Sequence, residues 1–159
     1  MKFGIALTNL GHGELEPLAD WALRLKQRHG LTHIEISMSN LAGNPWILWP
    51  WEYADANIGR MRDFVTQFES RGVPLPFAYN FLTCPNPRIR DEAFNQLKEG
   101  IVVAGQLGLH YTVTHTKTGP QEPGEEHRQI AMFSEVFERL AQIAEQHGLV
   151  FTVENGSDV

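Results

Sequence analysis

The stretch that decides the fold is Ala104-Gly-Gln-Leu-Gly-Leu-His-Tyr-Thr-Val-Thr-His115. Before it, apolar residues recur at helical spacing as far as Leu107, and Gly108 is the residue type that commonly ends such helices. The run Tyr111–Thr114 follows almost at once and predicts a short buried strand. A helix that stops at a glycine and passes directly into a strand is typical of a βαβ unit. We therefore expect a parallel sheet covered by helices.

Equivalent steps recur along the whole chain. Each of four predicted helices is closed by a glycine, namely Gly30, Gly72, Gly108 and Gly148. Predicted strands begin near residues 3, 33, 75, 111 and 150; the third is placed within Leu75–Phe81, because Pro74 and Pro76 argue for a late start. Steps of this length fit βαβ units of ~30 or more residues. The pattern predicts an α/β fold with about five parallel strands and four helices in sequential order.

The architecture expected from this pattern is a partial (β/α)₈ TIM barrel. A closed barrel needs eight strands and typically ~250 residues, whereas this chain has 159. We therefore expect residues 1–159 to form a single incomplete domain, the amino-terminal part of such a barrel. The alternative is a complete five-strand doubly wound domain, whose strand order would reverse within the sheet.

Composition and charge argue against several function classes. The formal net charge is −6 and no run of Lys or Arg could follow a phosphate backbone, so nucleic acid is not an expected partner. No apolar stretch approaches the ~20 residues of a membrane span, so no membrane association is expected. Cys84 is the single cysteine, which fits a reducing, cytoplasmic location.

Two residues at predicted strand ends are the main candidates for chemistry. Glu154 directly follows Val150–Val153, and His115 directly follows Tyr111–Thr114. Because the carboxyl ends of parallel strands meet at one edge of a sheet, we expect these two side chains to lie close together. A carboxylate beside an imidazole suits Zn²⁺, Mn²⁺ or a related divalent ion, and Glu154 is also an acid/base candidate. The alternatives are a salt-bridged glutamate and a histidine that is only hydrogen-bonded.

Four further residues are candidates near the same edge. Asn80, at the predicted end of the third strand, would bind a substrate hydroxyl or only anchor the following turn. His12 lies between two glycines after the first strand, where the backbone can approach a ligand. Trp46 belongs to a tryptophan-rich loop that would wall a pocket and stack on a sugar, pin the loop to the barrel or form an interface. Glu35, inside the second strand, is expected to pair with a cation, with the barrel interior as the alternative.

The chain resembles the xylose isomerase-like TIM-barrel superfamily, which contains sugar isomerases, sugar 3-epimerases and zinc-dependent AP endonucleases. The matching pieces begin with Met1-Lys-Phe-Gly-Ile, His33-Ile-Glu-Ile and Tyr79-Asn-Phe-Leu. They continue with Ala104-Gly-Gln-Leu-Gly-Leu before the strand ending at His115, and Ala144-Glu-Gln-His-Gly-Leu before Val153-Glu-Asn. The resemblance covers the whole chain but only about the amino-terminal half of the family's domain.

The resemblance implies that Glu154 is a ligand of a catalytic divalent metal (Mn²⁺, Co²⁺, Mg²⁺ or Zn²⁺), with further ligands on later strands that this chain lacks. In the endonuclease branch His115 would also be a ligand. That branch expects a histidine at the end of the third strand, where this chain has Tyr79 and Asn80. The isomerase/epimerase branch of carbohydrate metabolism, acting on a sugar or sugar phosphate, is therefore favoured.

Under that interpretation the chain alone is expected to be inactive or nearly so. Two other functions stay open: a metal-dependent AP endonuclease-like phosphodiesterase, and a non-catalytic half-barrel that associates with itself. Because a half-barrel has open strand edges, we expect a homo-oligomer under each of these interpretations.

Overall fold

Five strands form one parallel sheet. They are β1 (Phe3–Ala6), β2 (Leu31–Glu35), β3 (Ser70–Pro74), β4 (Tyr111–His115) and β5 (Val150–Glu154). The structure, a computed structural model, describes residues 3–7, 15–36, 56–75, 77–116 and 126–154. The strands are neighbours in chain order, β1-β2-β3-β4-β5, and each adjacent pair is parallel. The predicted sequential order is confirmed, and these strands show no reversal of the kind that a doubly wound sheet requires.

Four α-helices in the described part of the chain alternate with the strands, as predicted. They are α1 (Leu15–His29), α2 (Ile58–Val65), α3 (Pro87–Gln106) and α4 (Glu126–Gln146). The start of α3 shows why a helix begins there, since the Asn86 side chain accepts a hydrogen bond from the Arg88 N–H at 3.0 Å and Pro87 occupies the first turn. This cap satisfies a backbone donor that the helix itself leaves unpaired.

Three of the four predicted glycine stops are confirmed. Gly30, Gly108 and Gly148 have φ values of 69°, 71° and 72°, which lie in the left-handed region where an L side chain is strained. After two of these helices, the next residue closes the turn, with Leu109 N–H donating to Ala104 and Leu149 N–H donating to Ala144. Each turn delivers the chain directly into the following strand.

The predicted position of the third strand is wrong. The strand β3 occupies Ser70–Pro74, and the residues Phe77–Phe81 form a 3₁₀ helix after it. Proline has no N–H to donate, but it is tolerated as the last residue of β3 because the hydrogen bond to β4 is donated by the next residue. The Leu75 N–H donates to the Val113 carbonyl at 2.7 Å. Gly72 consequently lies within a strand and does not end a helix.

One side of the sheet, here called the helix face, is covered by the helices and is buried at its centre. Its most deeply buried apolar residues are between 0 and 5 % exposed; they are Leu7, Ile34, Ile36, Val73 and Leu75. They share a single hydrophobic cluster with residues of all four helices, including Ala22, Met61, Ile101 and Leu140. Burial of this apolar surface is the main favourable free energy of the fold.

The other side of the sheet, here called the open face, carries the residues that alternate with the helix face. One row of backbone register runs across it through Glu35, Gly72, Tyr111 and Val150. A later position of the register pairs His115 with Glu154 at the carboxyl ends of their strands. Side chains of this face are half-buried or exposed, so their chemistry is accessible.

Candidate functional site

Glu154 and His115 lie side by side at the carboxyl-terminal edge of the sheet. They are the last residues of β5 and β4, and the parallel ladder pairs them directly. The His115 Nδ1 atom is 3.8 Å from the Glu154 Oε2 atom. The two side chains are 29 % and 66 % exposed, so their Coulomb attraction is screened and the pair adds little stability. The structure therefore brings together the two main sequence candidates in an accessible position.

Tyr79 forms the inner wall behind His115. The two rings have centroids 5.4 Å apart and are tilted by 48°. Tyr79 is only 6 % exposed, and burial raises the pKa of its phenol, while a hydrogen bond with the Asn80 side chain works in the opposite direction. A buried ring in this contact restricts the orientations that the His115 imidazole can adopt.

Asn80 lies in the 3₁₀ helix that follows β3, and its predicted place at the end of the strand is wrong. The 3₁₀ helix Phe77–Phe81 follows the strand, and Tyr79 and Asn80 therefore lie outside the sheet. The described hydrogen bond of the Asn80 side chain goes to Tyr79. Both the anchoring of the following turn and substrate binding by Asn80 stay predictions.

Glu35 lies on the open face of the sheet. Burial raises the pKa of the Glu35 carboxyl, and the negative charge of Glu154 raises it further. No cation among the described side chains is seen to pair with it. The expectation of a cation partner is thus not supported, whereas the alternative of an interior-facing carboxylate agrees with the register.

Tyr111 is a site residue that sequence reasoning missed. Its ring covers Gly72 on the neighbouring strand so closely that a Cβ atom there would lie 2.1 Å from Cε2 and 2.3 Å from Cζ. Burial and the charge of Glu35 raise the pKa of the phenol, while a hydrogen bond with Ser70 opposes them. The available signal was an isolated glycine within a strand, which often marks a close approach of another group.

The donor atoms at this edge fit a divalent metal only in part. An imidazole nitrogen and a carboxylate oxygen are both accepted ligand types for Zn²⁺ and Mn²⁺. Within the ranges described, no group of three or more His, Cys, Asp or Glu side chains is arranged to hold an ion. The pair therefore offers two ligands of a site that needs more.

Two other sequence candidates, His12 and Trp46, lie outside the described residues. Among the helices that the structure does describe, none has the length and apolar character needed to cross a membrane.

One family model and several solved structures match this chain. The family model described as xylose isomerase-like TIM barrel matches residues 23–158. No curated protein matches the chain. Because that model spans most of the sequence, it covers β2 to β5 together with both His115 and Glu154.

Solved structures of the same architecture are similar to this chain. A D-tagatose 3-epimerase-like protein has a TM-score of 0.70 at 20 % identity, over 100 % of this chain and 54 % of that one. The IOLI protein with a zinc atom has a TM-score of 0.67 at 19 % identity, over 98 % and 51 %. The TTHB071 protein from Thermus thermophilus, soaked with ZnCl₂, has a TM-score of 0.64 at 22 % identity, over 98 % and 55 %. At these identities the likeness establishes the fold, and the chain spans about half the length of the structures it matches.

Proposed function

Since this chain belongs to the xylose isomerase-like TIM-barrel family, we propose that it supplies the amino-terminal part of the active site of a divalent-metal-dependent sugar or sugar-phosphate isomerase or epimerase. The observation that carries the proposal is the His115–Glu154 pair at the carboxyl ends of adjacent parallel strands. In TIM barrels this end of the sheet is where catalytic residues are found. Structures about twice as long as this chain include a protein named as a 3-epimerase and a zinc-containing one, which supports the same proposal.

The residues of this chain would act as follows. Glu154 would hold the metal through its carboxylate, and it could also hold or move a proton at the substrate. His115 is either a further ligand or a hydrogen-bond partner for a substrate oxygen, in an orientation limited by Tyr79. A divalent metal, when bound, supplies stabilisation of the negative charge that develops on adjacent sugar oxygens.

The site is proposed to be completed by residues outside 1–159. Only two donor side chains meet at the described edge, whereas catalytic metal sites commonly use three protein ligands and one open position. We accordingly expect the 159-residue chain alone to be inactive or nearly so, and robust turnover by it would refute this part of the proposal.

The decisive experiment compares Glu154→Gln with wild type in the full-length protein, assayed for ketose epimerisation with Mn²⁺ or Co²⁺. We expect kcat to fall by about 10²- to 10⁴-fold, because the variant loses both a ligand and a proton-transfer group. Glu145→Gln, at an exposed position of α4, is the matched control and should retain wild-type kcat. Equal activity of the Glu154→Gln and Glu145→Gln variants would contradict the proposal.

Self-association is a second part of the proposal. The outermost strands β1 and β5 carry exposed apolar residues: Phe3 is 37 % exposed, Val150 63 % and Val153 44 %. Unpaired strand edges of this kind favour association with another chain. We propose a homo-oligomer in the cytoplasm, and light scattering coupled to gel filtration should give a mass above 18.0 kDa for this chain; a strict monomer would contradict it.

A further inference from the structure

The contact between His115 and Glu154 is too long to hold the imidazole in place. The His115 Nδ1 atom is 3.8 Å from the Glu154 Oε2 atom, whereas a hydrogen bond from a nitrogen to an oxygen is about 2.7–3.2 Å long. The Glu154 side chain is also 66 % exposed, so water surrounds most of the carboxylate. The imidazole must therefore be oriented by another group if it is to face Glu154.

The Tyr79 ring is the other partner of the imidazole among the described residues. Its centroid is 5.4 Å from that of the His115 ring, which lies within the range of about 4.5–7 Å that is typical of packed aromatic pairs. Tyr79 is 6 % exposed, whereas the His115 side chain is 29 % exposed. Tyr79 is thus the fixed member of the pair, and the imidazole packs against it.

Tyr79 is carried by a segment that is itself well anchored. Its neighbours Ala78 and Leu82 are each only 2 % exposed, and the Leu82 N–H donates a hydrogen bond to the Tyr79 carbonyl at 3.2 Å. Just after this segment, the Arg90 Nη1 atom on α3 donates to the Cys84 carbonyl at 2.7 Å. The position of the Tyr79 ring is therefore set by packing and hydrogen bonds that do not involve the site.

We infer that Tyr79 is a positioning residue for the proposed metal site, and that its ring sets metal affinity by holding the His115 imidazole toward Glu154. The inference deepens the proposed function and rests on it. The ring and not the hydroxyl carries the effect, because the contact with His115 is between the two rings.

The physical reason is the rotational freedom of the imidazole. The torsion angle that turns a histidine ring about its Cβ–Cγ bond has broad energy minima, so an unsupported ring samples many orientations. A ring that already faces the neighbouring carboxylate loses less conformational entropy when it binds an ion. Removing a group that orients a metal ligand typically weakens metal binding by about 10- to 100-fold.

The test measures metal binding by the full-length protein after the metal has been stripped. The Kd for Zn²⁺ is obtained by competition with a chelating indicator, and the visible absorption of bound Co²⁺ reports the ligand geometry. We expect Tyr79→Leu to raise the Kd by about 10- to 100-fold and to alter the Co²⁺ spectrum. Tyr79→Phe keeps the ring and should retain the wild-type values. In a His115→Ala background, Tyr79→Leu should have little further effect, because its target is absent.

A matched control separates positioning from a general loss of packing. Phe64 is 5 % exposed and packs on the Phe68 ring at 5.6 Å, at the end of α2. Phe64→Leu should lower the melting temperature about as much as Tyr79→Leu does, and leave the Kd for Zn²⁺ unchanged. If Tyr79→Leu does not fold, Tyr79→Met removes the ring while keeping a long apolar side chain, and the same increase in Kd is expected.

The outcomes distinguish this inference from the proposed function. A wild-type Kd in Tyr79→Leu or Tyr79→Met would overturn the inference, and so would an equal increase in Phe64→Leu, in Tyr79→Phe or in the His115→Ala background. In each of these cases a weakened Kd in Glu154→Gln would leave the proposed function standing. A wild-type protein that binds neither Zn²⁺ nor Co²⁺ would overturn both.

Discussion

The two faces of the sheet differ in the polarity and the exposure of their side chains. The helix face is mostly apolar and is buried at its centre, where Ile34, Ile36 and Val73 are at most 1 % exposed. Each apolar contact there adds to stability in proportion to buried area. The open face carries Glu35, Tyr111, His115 and Glu154, which remain accessible. One strand can serve both purposes because its side chains alternate between the faces.

Each face also contains residues that depart from its general character. On the helix face, the hydroxyls of Thr112 and Thr114 are fully buried without a hydrogen-bond partner in the described structure. On the open face, the Tyr111 ring packs tightly against Gly72 and resembles core packing. Packing and polarity therefore depend on the individual position in a strand and not on the face alone.

The largest expected effect comes from adding a side chain at Gly72. Gly72→Ala would place a methyl group 2.1 Å from Cε2 of Tyr111, and displacing that ring should reduce the free energy of unfolding by about 1–3 kcal/mol. Urea denaturation of the full-length protein measures this loss. In a Tyr111→Ala background the same substitution should cost much less, because the ring is gone. An equal cost in both backgrounds would show that the contact does not exist.

A smaller effect is expected from the buried threonines of the helix face. Thr112→Val and Thr114→Val remove hydroxyls that lack partners in the described structure, so each should raise the free energy of unfolding by up to about 1 kcal/mol. Thr152→Val is the matched control, since the Thr152 hydroxyl donates to the Thr112 carbonyl at 2.6 Å and its removal should cost about 1 kcal/mol. Losses of the same size at all three positions would contradict the difference between paired and unpaired hydroxyls.

The smallest effect concerns pH and Glu35. Burial and the charge of Glu154 raise its folded-state pKa above the ordinary value, so the folded protein binds this proton more tightly than the unfolded chain does. The stability contribution of the protonated group is complete below the unfolded pKa and is lost as pH rises through the folded pKa. Glu35→Gln should therefore be more stable than wild type at pH 7, with the difference disappearing at acidic pH.

Thermal unfolding of wild type and of Glu35→Gln, followed from acidic pH to pH 7, measures the difference in melting temperature. A gain in melting temperature that is independent of pH would contradict the assigned cause.

The fold can be predicted largely from local patterns. Helix ends at Gly30, Gly108 and Gly148 and the apolar runs after them depend on neighbouring residues, and the structure confirms these elements. The prediction starts the third strand after Pro74, whereas in the structure Pro74 is the last residue of β3. The third strand is therefore misplaced. A proline near a strand signals a boundary without saying on which side the strand lies.

The candidate site can be predicted only where it depends on strand ends. His115 and Glu154 come together because each terminates a neighbouring strand, which the sequence shows. The approach of Tyr111 to Gly72 depends on the register between β3 and β4. A shift by one residue would send that ring to the helix face, and no local pattern determines the register.

The turns at the amino-terminal end of the sheet have a consequence for how such a chain can diversify. A single residue, Gly30, separates α1 from β2, and residues 107–110 and 147–149 separate the last two helices from their strands. The opposite connections are longer and unequal, since residues 36–57 link β2 to α2 and residues 116–125 link β4 to α4. Insertions and new side chains can therefore accumulate at one end of the molecule while short turns at the other keep helices and strands in phase. Inheritance of the scaffold and acquisition of a new specificity are thereby separated in space.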